Sequence, residues 1–230
     1  MEKELSVLEK RIGVKFKNRE LLRQAMVHRS YINENPDFEL AHNERLEFLG
    51  DAVLELVVTE YLFQNYPNPE GELTNWRASL VNSKTLAEVG ASLALDEFIY
   101  LSRGEAKDKG RARQYILANA VEALIGSIYL DQGWEKSREF ISGKIVVLLP
   151  EILENGLYRD SKSLFQEKAQ EITGITPSYE VLKEWGPDHA KHFLVGVFLE
   201  EEKAAEGSGF SKQEAQQEAA KAALEAKDWA

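Results

Sequence analysis

The feature that most constrains the fold is a helical segment, residues 44–66, that is apolar almost all the way round. A helix of this kind needs neighbours on every side, so it belongs in the middle of a helical bundle or at an interface. Glu47 and Asp51 lie four apart on it and share one face, and Glu44 precedes Glu47 by three. Carboxylates at the edge of an apolar helix are costly unless they are paired or bind a cation.

A second apolar helix, residues 116–130, is the expected packing partner. Its polar exceptions are Asn119 and Glu122, three apart on one face. Gly50 costs the first helix about 1 kcal/mol relative to alanine, and close approach of a second helix is one reason to tolerate it. If the two polar faces meet, four oxygen-bearing side chains converge: Glu47, Asp51, Asn119 and Glu122. Such ligands suit Mg²⁺ or Mn²⁺ and not zinc.

The residues alone leave an alternative open, in which these acids are solvated or paired with basic side chains. The basic residues that could serve are Arg45, Arg77 and Lys84.

Apolar periodicity predicts helices throughout residues 1–153. The first is expected to run from Leu5 to Phe16, and the last up to Pro150. Breaks are expected near Asn82 and at Gly133. Polar, glycine- or proline-containing stretches at 33–43 and 102–113 predict loops.

The pattern changes after a short polar linker at 154–159. Residues 160–227 predict an α+β unit in which the residue pattern indicates two strands between two helices, α-β-β-(β)-α. Its helices are expected at 163–172 and 211–226, and two of its strands at 178–184 and 193–199. The fold class is therefore an all-α domain followed by a small α+β domain.

Composition restricts the function classes. The chain has 230 residues, with 28 basic and 39 acidic, which argues weakly against a nucleic-acid partner. No cysteine is present, so disulfides, thiolate metal sites and cysteine nucleophiles are excluded. The charged N-terminus predicts no signal peptide, and no stretch reaches the roughly 18 apolar residues of a membrane span.

The motif HNERLEFLGDAVLEL closely resembles the signature of ribonuclease III, an endonuclease of double-stranded RNA. AMVHRSY, LTNWRASLV and ILANAVEALIGSIYLD are similar to neighbouring segments of that family. The resemblance implies the ribonuclease III endonuclease fold, a homodimer through the N-terminal domain, and two-metal hydrolysis with Mg²⁺, for which Mn²⁺ can substitute. It places metal ligands at Glu47, Asp51, Asn119 and Glu122, with Asp51 and Glu122 also catalytic. It adds Glu44 and Glu70 as acids near the cleavage site at the subunit interface.

Position 119 departs from the family, which usually has aspartate there. Asparagine keeps an oxygen ligand but loses one negative charge, so we expect weaker cation binding and reduced activity. The sequence does not distinguish a natural variant from an engineered one.

Three segments of the second unit resemble a double-stranded-RNA-binding domain: LFQEKAQEI, GPDHAKHF and GSGFSKQEAQQEAAKAAL. The resemblance implies the full order α-β-β-β-α for this unit. Such domains read A-form shape and 2′-hydroxyls, not bases. The residues expected to contact RNA are Gln166, Gln170, His189, Ser211 and Lys212. Ser211 and Glu214 predict a capping box that opens the last helix. Against strong binding, residues 160–230 hold 8 basic and 14 acidic residues, and Gln213 replaces the usual second lysine.

Together these observations predict a cytoplasmic, homodimeric, Mg²⁺-dependent endoribonuclease that acts in rRNA and mRNA processing. By resemblance it cuts double-stranded RNA to 5′-phosphate and 3′-hydroxyl ends, and it needs no membrane and no small-molecule cofactor. Three alternatives stay open: a catalytically weak RNA-binding regulator, a ribosome-associated structural protein and a small-molecule phosphohydrolase. The natural RNA and its cleavage sites are not specified by the sequence.

Overall fold

Helices build the first of two units into which the chain divides, Met1–Tyr158 and Arg159–Ala230. The computed structural model describes residues 4–107, 110–156, 160–186 and 191–229. The sequence predicted that the first unit ends at residue 153 and that the second begins at residue 160, on either side of this division. Residues 157–159 of the predicted linker lie outside the described residues.

Two long helices form the centre of the first unit, and shorter ones surround them. The helices are α1 (Leu5–Ile12), α2 (Arg19–Ala25), α3 (Arg29–Glu34), α4 (Glu44–Asn65), α5 (Glu70–Val81), α6 (Ser83–Ser92), α7 (Arg111–Gln132), α8 (Trp134–Lys144) and α9 (Leu149–Glu154). Short 3₁₀ turns lie at Leu95–Glu97 and Val146–Leu148. Val121, Leu124 and Ile125 of α7 are fully buried, so α7 is the core helix on which α2, α4, α6 and α8 pack.

Most predicted helices are confirmed, with errors at their ends. Asn82 separates α5 from α6, and its side chain caps α6 by accepting from the Thr85 N–H, while Gly133 ends α7. The first helix was predicted too long: it ends at Ile12, because Gly13 adopts a left-handed conformation with φ of 73°. Phe16 is nevertheless buried in the core.

Three further boundaries were wrong. The segment predicted as one helix up to Pro150 is divided into α8, a 3₁₀ turn and α9. The predicted loop at 33–43 begins later, because α3 extends to Glu34. The predicted loop at 102–113 ends earlier, because α7 begins at Arg111.

The second unit has the predicted α-β-β-β-α order. Its elements are α10 (Ser161–Thr173), β1 (Ser178–Trp185), β2 (His192–Leu199), β3 (Glu202–Gly209) and α11 (Lys212–Ala226). The strands form an antiparallel sheet in the order β1-β2-β3. Phe165, Ala169 and Val197 belong to a separate core between this sheet and the two helices. Gly207 lets α11 approach β3, since a Cβ there would lie 2.5 Å from the carbonyl carbon of Glu218.

Among the helices of the described residues, none combines the length and apolar character needed to cross a membrane.

Candidate active site

The geometry of the site follows from a crossing of α4 and α7 at two glycines. A Cβ on Gly50 would lie 2.8 Å from the Gly126 nitrogen and would also strike the backbone carbonyl of Glu122. A Cβ on Gly126 would lie 3.1 Å from the Gly50 nitrogen. Backbone therefore meets backbone here, which confirms the reason predicted for tolerating Gly50 within a helix.

This crossing brings the predicted acids of the two helices together. Glu47 and Asp51 flank Gly50 on α4, and the Glu122 backbone lies directly against Gly50. Burial raises the pKa of Glu122 to about 7, and the negative charges of Asp51 and Glu47 add to the effect. Burial also raises the pKa of Glu47, with the charges of Glu44 and Asp51 acting in the same direction. The three carboxylates therefore share one electrostatic environment, which is short of positive charge.

Asn119 faces the same group of acids. Its side-chain amide donates a hydrogen bond to the Glu47 carboxylate, which partly counteracts the rise in the pKa of Glu47. Asn119 and Glu122 are both half-buried on α7. The asparagine therefore replaces a repulsive carboxylate with a donor, and its NH₂ group has found a partner inside the site.

The open alternative was that these acids are solvated or paired with basic side chains. Asp51 is exposed to solvent, whereas Glu47 and Glu122 are half-buried. No ion pair in the described part of the chain joins Glu47, Asp51 or Glu122 to an arginine or lysine. Arg77 instead pairs with Glu55, at 3.2 Å between Nε and Oε2.

The donor set fits a hard divalent cation in its chemistry. Three carboxylates and one amide oxygen offer oxygen ligands only. Burial, and after it the neighbouring carboxylates, raises the pKa values of Glu47 and Glu122. In the described residues, the acidic and histidine side chains form no closed group of three or more around a common point.

The other two predicted acids lie outside this group in different ways. Glu44 opens α4 and is ion-paired with Arg29 at 3.3 Å, although its charge still reaches Glu47. Glu70 is the exposed first residue of α5 and lines an open cavity with Phe63 and Arg77. Its charge is not among those that shift the pKa values of Glu47 or Glu122.

An apolar stripe runs along the outer face of α4. Phe48 is 81% exposed, Leu56 57% and Phe63 79%, and their spacing places them on one side of the helix. A stripe of large apolar side chains in water is unfavourable and is typical of a surface that a partner covers.

The second unit presents the predicted RNA-contacting side chains on its helices. Gln166 and Gln170 are exposed one turn apart on α10, and both line a shallow cavity with Ser163. Gln170 is held locally, since its Nε2 donates to the Gly174 carbonyl at 3.3 Å. His189 lies outside the described residues.

The start of α11 is organised by the predicted cap. The Glu214 N–H donates to the Ser211 Oγ at 3.1 Å, as predicted. The Glu214 carboxylate in turn accepts a hydrogen bond from the N–H of Phe210, the residue before Ser211, at 2.9 Å. Lys212 stands in the first turn of α11, in the position expected for contact with a phosphate.

Sequence reasoning missed how Lys212 is held. Glu184 of β1 lies between two lysines, 2.8 Å from Lys191 Nζ and 3.7 Å from Lys212 Nζ. The hydrogen bond from Lys191 is the main cause that lowers the pKa of Glu184. Lys191 within HAKHF was the available signal, but its pairing depends on strand register.

Comparison with protein families identifies both units. Residues 18–149 match the family described as Ribonuclease-III-like, and residues 161–227 match the double-stranded RNA binding motif.

Similar proteins extend over nearly the whole chain. It is 45% identical to Ribonuclease 3 of Nitratiruptor sp. over 223 residues, which cover 96% of each chain. It is 42% identical to Ribonuclease 3 of Borreliella burgdorferi, over 97% of this chain and 91% of that one. Among solved structures, the nuclease domain of ribonuclease III from Campylobacter jejuni matches 61% of this chain and 98% of its own, with 40% identity and a TM-score of 0.55. That structure concerns flexibility in a region involved in dimer formation.

Proposed function

Because this chain belongs to the ribonuclease III family of endoribonucleases, we propose that it hydrolyses double-stranded RNA at the crossing of α4 and α7, using divalent cations. The observation that carries the proposal is a helix crossing at two glycines that brings Glu47, Asp51 and Glu122 within electrostatic reach of one another, with Asn119 beside Glu47. The proposed products are 5′-phosphate and 3′-hydroxyl ends, formed in the processing of structured cellular RNA.

The chain's own residues would hold the cation and set its charge. Glu47, Asp51 and Glu122 supply carboxylate oxygens, and Asn119 supplies an amide oxygen if its bond to Glu47 rearranges. Bound Mg²⁺ or Mn²⁺ provides activation of a water and stabilisation of the departing 3′ oxygen. Without a cation, the carboxyl of Glu122 keeps its proton up to about pH 7. This protonation must be reversed before Glu122 can serve as a ligand.

The second unit supplies affinity for the duplex. We place Gln166 and Gln170 at a minor groove and Lys212 at a phosphate, with Ser211 fixing the start of α11. His189 is proposed to contact ribose on the strength of the motif alone. Because Glu184 already engages Lys212, a phosphate must compete with a carboxylate. We therefore expect modest affinity with a low salt dependence.

The apolar stripe on α4 supports a homodimer. Phe48, Leu56 and Phe63 are too exposed and too apolar for a free surface. Phe63 and Glu70 line the same cavity, so a partner covering this stripe would come close to Glu70. This supports the proposed place of Glu70 near a composite site. The cytoplasmic location stays a prediction from the sequence.

One observation favours a second candidate, a member that binds duplexes but cleaves them slowly. Asn119 removes one negative charge from the proposed ligand set and occupies the oxygens of Glu47 with its amide. The RNA-binding unit is unaffected by this change, so binding without efficient cleavage is the expected behaviour of such a protein.

The test compares four substrates: duplex RNA, single-stranded RNA, duplex DNA and an RNA–DNA hybrid, each with Mg²⁺, with Mn²⁺ and with EDTA. We expect cleavage of duplex RNA alone, only with a divalent cation, and with a 5′-phosphate on the products. Binding without cleavage in both metals would establish the second candidate. Cleavage of single strands at the same rate, or cleavage in EDTA, would contradict the proposal.

A further inference from the structure

Three aromatic rings stand in a row across one end of the sheet in the second unit. The rings of Trp185 and His192 are stacked, with centroids 5.3 Å apart and planes 12° from parallel. The ring of Phe210 continues the row, with its centroid 4.3 Å from that of His192. We call these three residues the aromatic row. None of them belongs to the RNA contacts proposed above.

The aromatic row lies on the sheet face that the helices leave uncovered. Trp185 and His192 are directly paired across β1 and β2, so their side chains point to the same side. Val195 and Val197 alternate with His192 along β2 and are fully buried towards the helices, which places His192 on the opposite side. Trp185 is 41% exposed and Phe210 55%. Flat ring surface is therefore open to water at both ends of the row.

The positive charges near this end of the sheet point to a nucleic-acid partner. Lys183 lies over the Trp185 ring at 5.8 Å, and Lys191 and Lys212 each lie 5.8 Å from the Phe193 ring. Phe193 alternates with His192 and so faces the helices, and Glu184 pairs with both Lys191 and Lys212. Of these three lysines, Lys183 is therefore the one on the side of the aromatic row. Phe210 directly precedes Ser211, the cap of α11, and its N–H is fixed by the Glu214 carboxylate. The row is thus continuous with the surface proposed to contact the duplex.

We propose that the aromatic row is a stacking platform for unpaired RNA bases next to the bound duplex, such as those of a single-stranded flank or loop. This inference rests on the proposed function, because the duplex brings the unpaired bases to the row. Bases stack on exposed aromatic rings with little regard to sequence, and Lys183 beside the Trp185 ring would contact the backbone of the RNA strand. A perfect duplex keeps its bases stacked internally, so the row would add affinity only for substrates with unpaired nucleotides.

The experiment measures the affinity of the full chain in EDTA for three RNAs by fluorescence anisotropy. One is a blunt duplex of about 16 base pairs, the span of one such domain. The second carries an added single-stranded flank of a few nucleotides, and the third carries the same flank with abasic sugars. The abasic flank keeps every phosphate and removes only the bases. We expect the base-bearing flank to tighten binding by about tenfold over the abasic one.

Variants identify the rings as the cause. Trp185→Ala and Phe210→Ser should each reduce the gain from the base-bearing flank while leaving affinity for the blunt duplex unchanged. Trp185→Phe should retain most of the gain, because it keeps a flat ring. Leu182→Ala is the matched control, since Leu182 is on the same strand and is also 41% exposed but has no ring. It should retain the full gain, and thermal unfolding would show whether each variant is folded.

The outcomes separate this inference from the function on which it rests. If the parent fails to bind the blunt duplex, the proposed function is overturned and this inference with it. If the blunt duplex binds but base-bearing and abasic flanks bind equally, only the stacking platform is overturned. If Leu182→Ala and Trp185→Ala reduced the gain in affinity from the base-bearing flank equally, the stacking platform would also be overturned, because such a result would indicate general apolar contact. If Trp185→Ala instead changed the oligomeric mass of the protein without RNA while leaving its affinity for the flanked duplex unchanged, that result would identify the aromatic row as a contact between protein chains and would overturn the stacking platform.

Discussion

At the scale of single residues, we propose that Asn119 sets how strongly the site attracts a cation. Its amide donates to Glu47 and opposes the rise in the pKa of Glu47 that burial and the neighbouring carboxylates cause. The departure from aspartate was visible in the sequence. The bond to Glu47 was not, because it depends on how α4 and α7 are turned towards each other.

We predict that Asn119→Asp lowers the Mg²⁺ concentration needed for half-maximal duplex cleavage by at least about tenfold. Tenfold is the lower end of the change in metal affinity that typically follows when one group supporting a metal site is altered. The added carboxylate supplies charge and frees Glu47. Mn²⁺ should partly rescue the parent. Asn75→Asp, on an exposed position of α5, is the matched control and should change little. Identical metal titrations for the parent and Asn119→Asp would show that position 119 is not a working ligand.

Glu122 predicts a pH dependence of stability in the metal-free protein. Its pKa is about 7 when folded and 4.5 in its ordinary state, so the folded chain binds this proton more tightly. The protonated Glu122 carboxyl therefore contributes to the free energy of unfolding. This contribution is fully present below about pH 4.5 and is lost as the pH rises to about 7. Mg²⁺ requires the deprotonated form, so the increase in unfolding temperature on adding Mg²⁺ should grow between pH 6 and 8, roughly the range where this group titrates.

Thermal unfolding in EDTA and in Mg²⁺ at several pH values checks this prediction. Glu122→Gln cannot titrate, and it should remove this component of the pH dependence. An effect of Mg²⁺ on the parent that is the same at every pH would contradict the prediction.

At the scale of elements, periodicity predicted the helices, and tertiary contacts decided their ends. The apolar stretches of α4 and α7 are long enough for the pattern to be unambiguous. α1 ends early because Gly13 takes a left-handed conformation, and the Phe16 N–H is then held by the buried Glu9 carboxylate at 2.9 Å. The short helix α3 has no apolar periodicity of its own, so the sequence pattern did not predict where it ends. Ser30 near its start accepts a hydrogen bond from the N–H of Ser102, a contact that depends on the tertiary fold.

The glycine crossing gives the sharpest prediction about stability. Gly126→Ala should destabilise the protein by about 2 kcal/mol. Forcing an extra methyl group into a packed contact costs up to about 3 kcal/mol, and replacing glycine by alanine in a helix stabilises the helix by about 1 kcal/mol. The added methyl meets backbone, which cannot move aside as a side chain can. The unfolding midpoint should fall by about 5 °C.

Gly143→Ala is the control, since Gly143 lies within α8 and a Cβ there meets nothing within 4 Å. It should leave the midpoint unchanged or raise it. Equal midpoints for the two variants would contradict the backbone contact between α4 and α7.

The outer stripe of α4 predicts the assembly. Phe63→Glu should shift the chain from dimer to monomer at micromolar concentration, because it puts a charge into the apolar contact. Val147→Glu is the matched control, since Val147 is also exposed, at 61%, but belongs to the 3₁₀ turn between α8 and α9 and not to α4. Mass measured by analytical ultracentrifugation checks this, and a monomeric parent would contradict it.

At the scale of the whole molecule, the sequence predicted the order, the fold and the family of the two units more reliably than the contacts within them. The third strand, β3, was expected only from the pattern of the family, since Glu202–Gly209 lacks an apolar alternation. It is held by pairing with β2 and by α11, which packs against Gly207. The aromatic row also depends on strand register, so sequence spacing alone does not bring Trp185 to His192.

The division of labour between the units is the central claim, and Glu122→Gln tests it most directly. Binding and cleavage of one RNA duplex are measured on the same samples, with Mg²⁺, for the parent and the variant. We predict unchanged binding, because the proposed RNA contacts lie in the second unit. Cleavage should fall by more than about a hundredfold, since a direct ligand matters more than the groups around it. Cleavage at the parent rate, or loss of binding together with cleavage in a folded variant, would contradict the account.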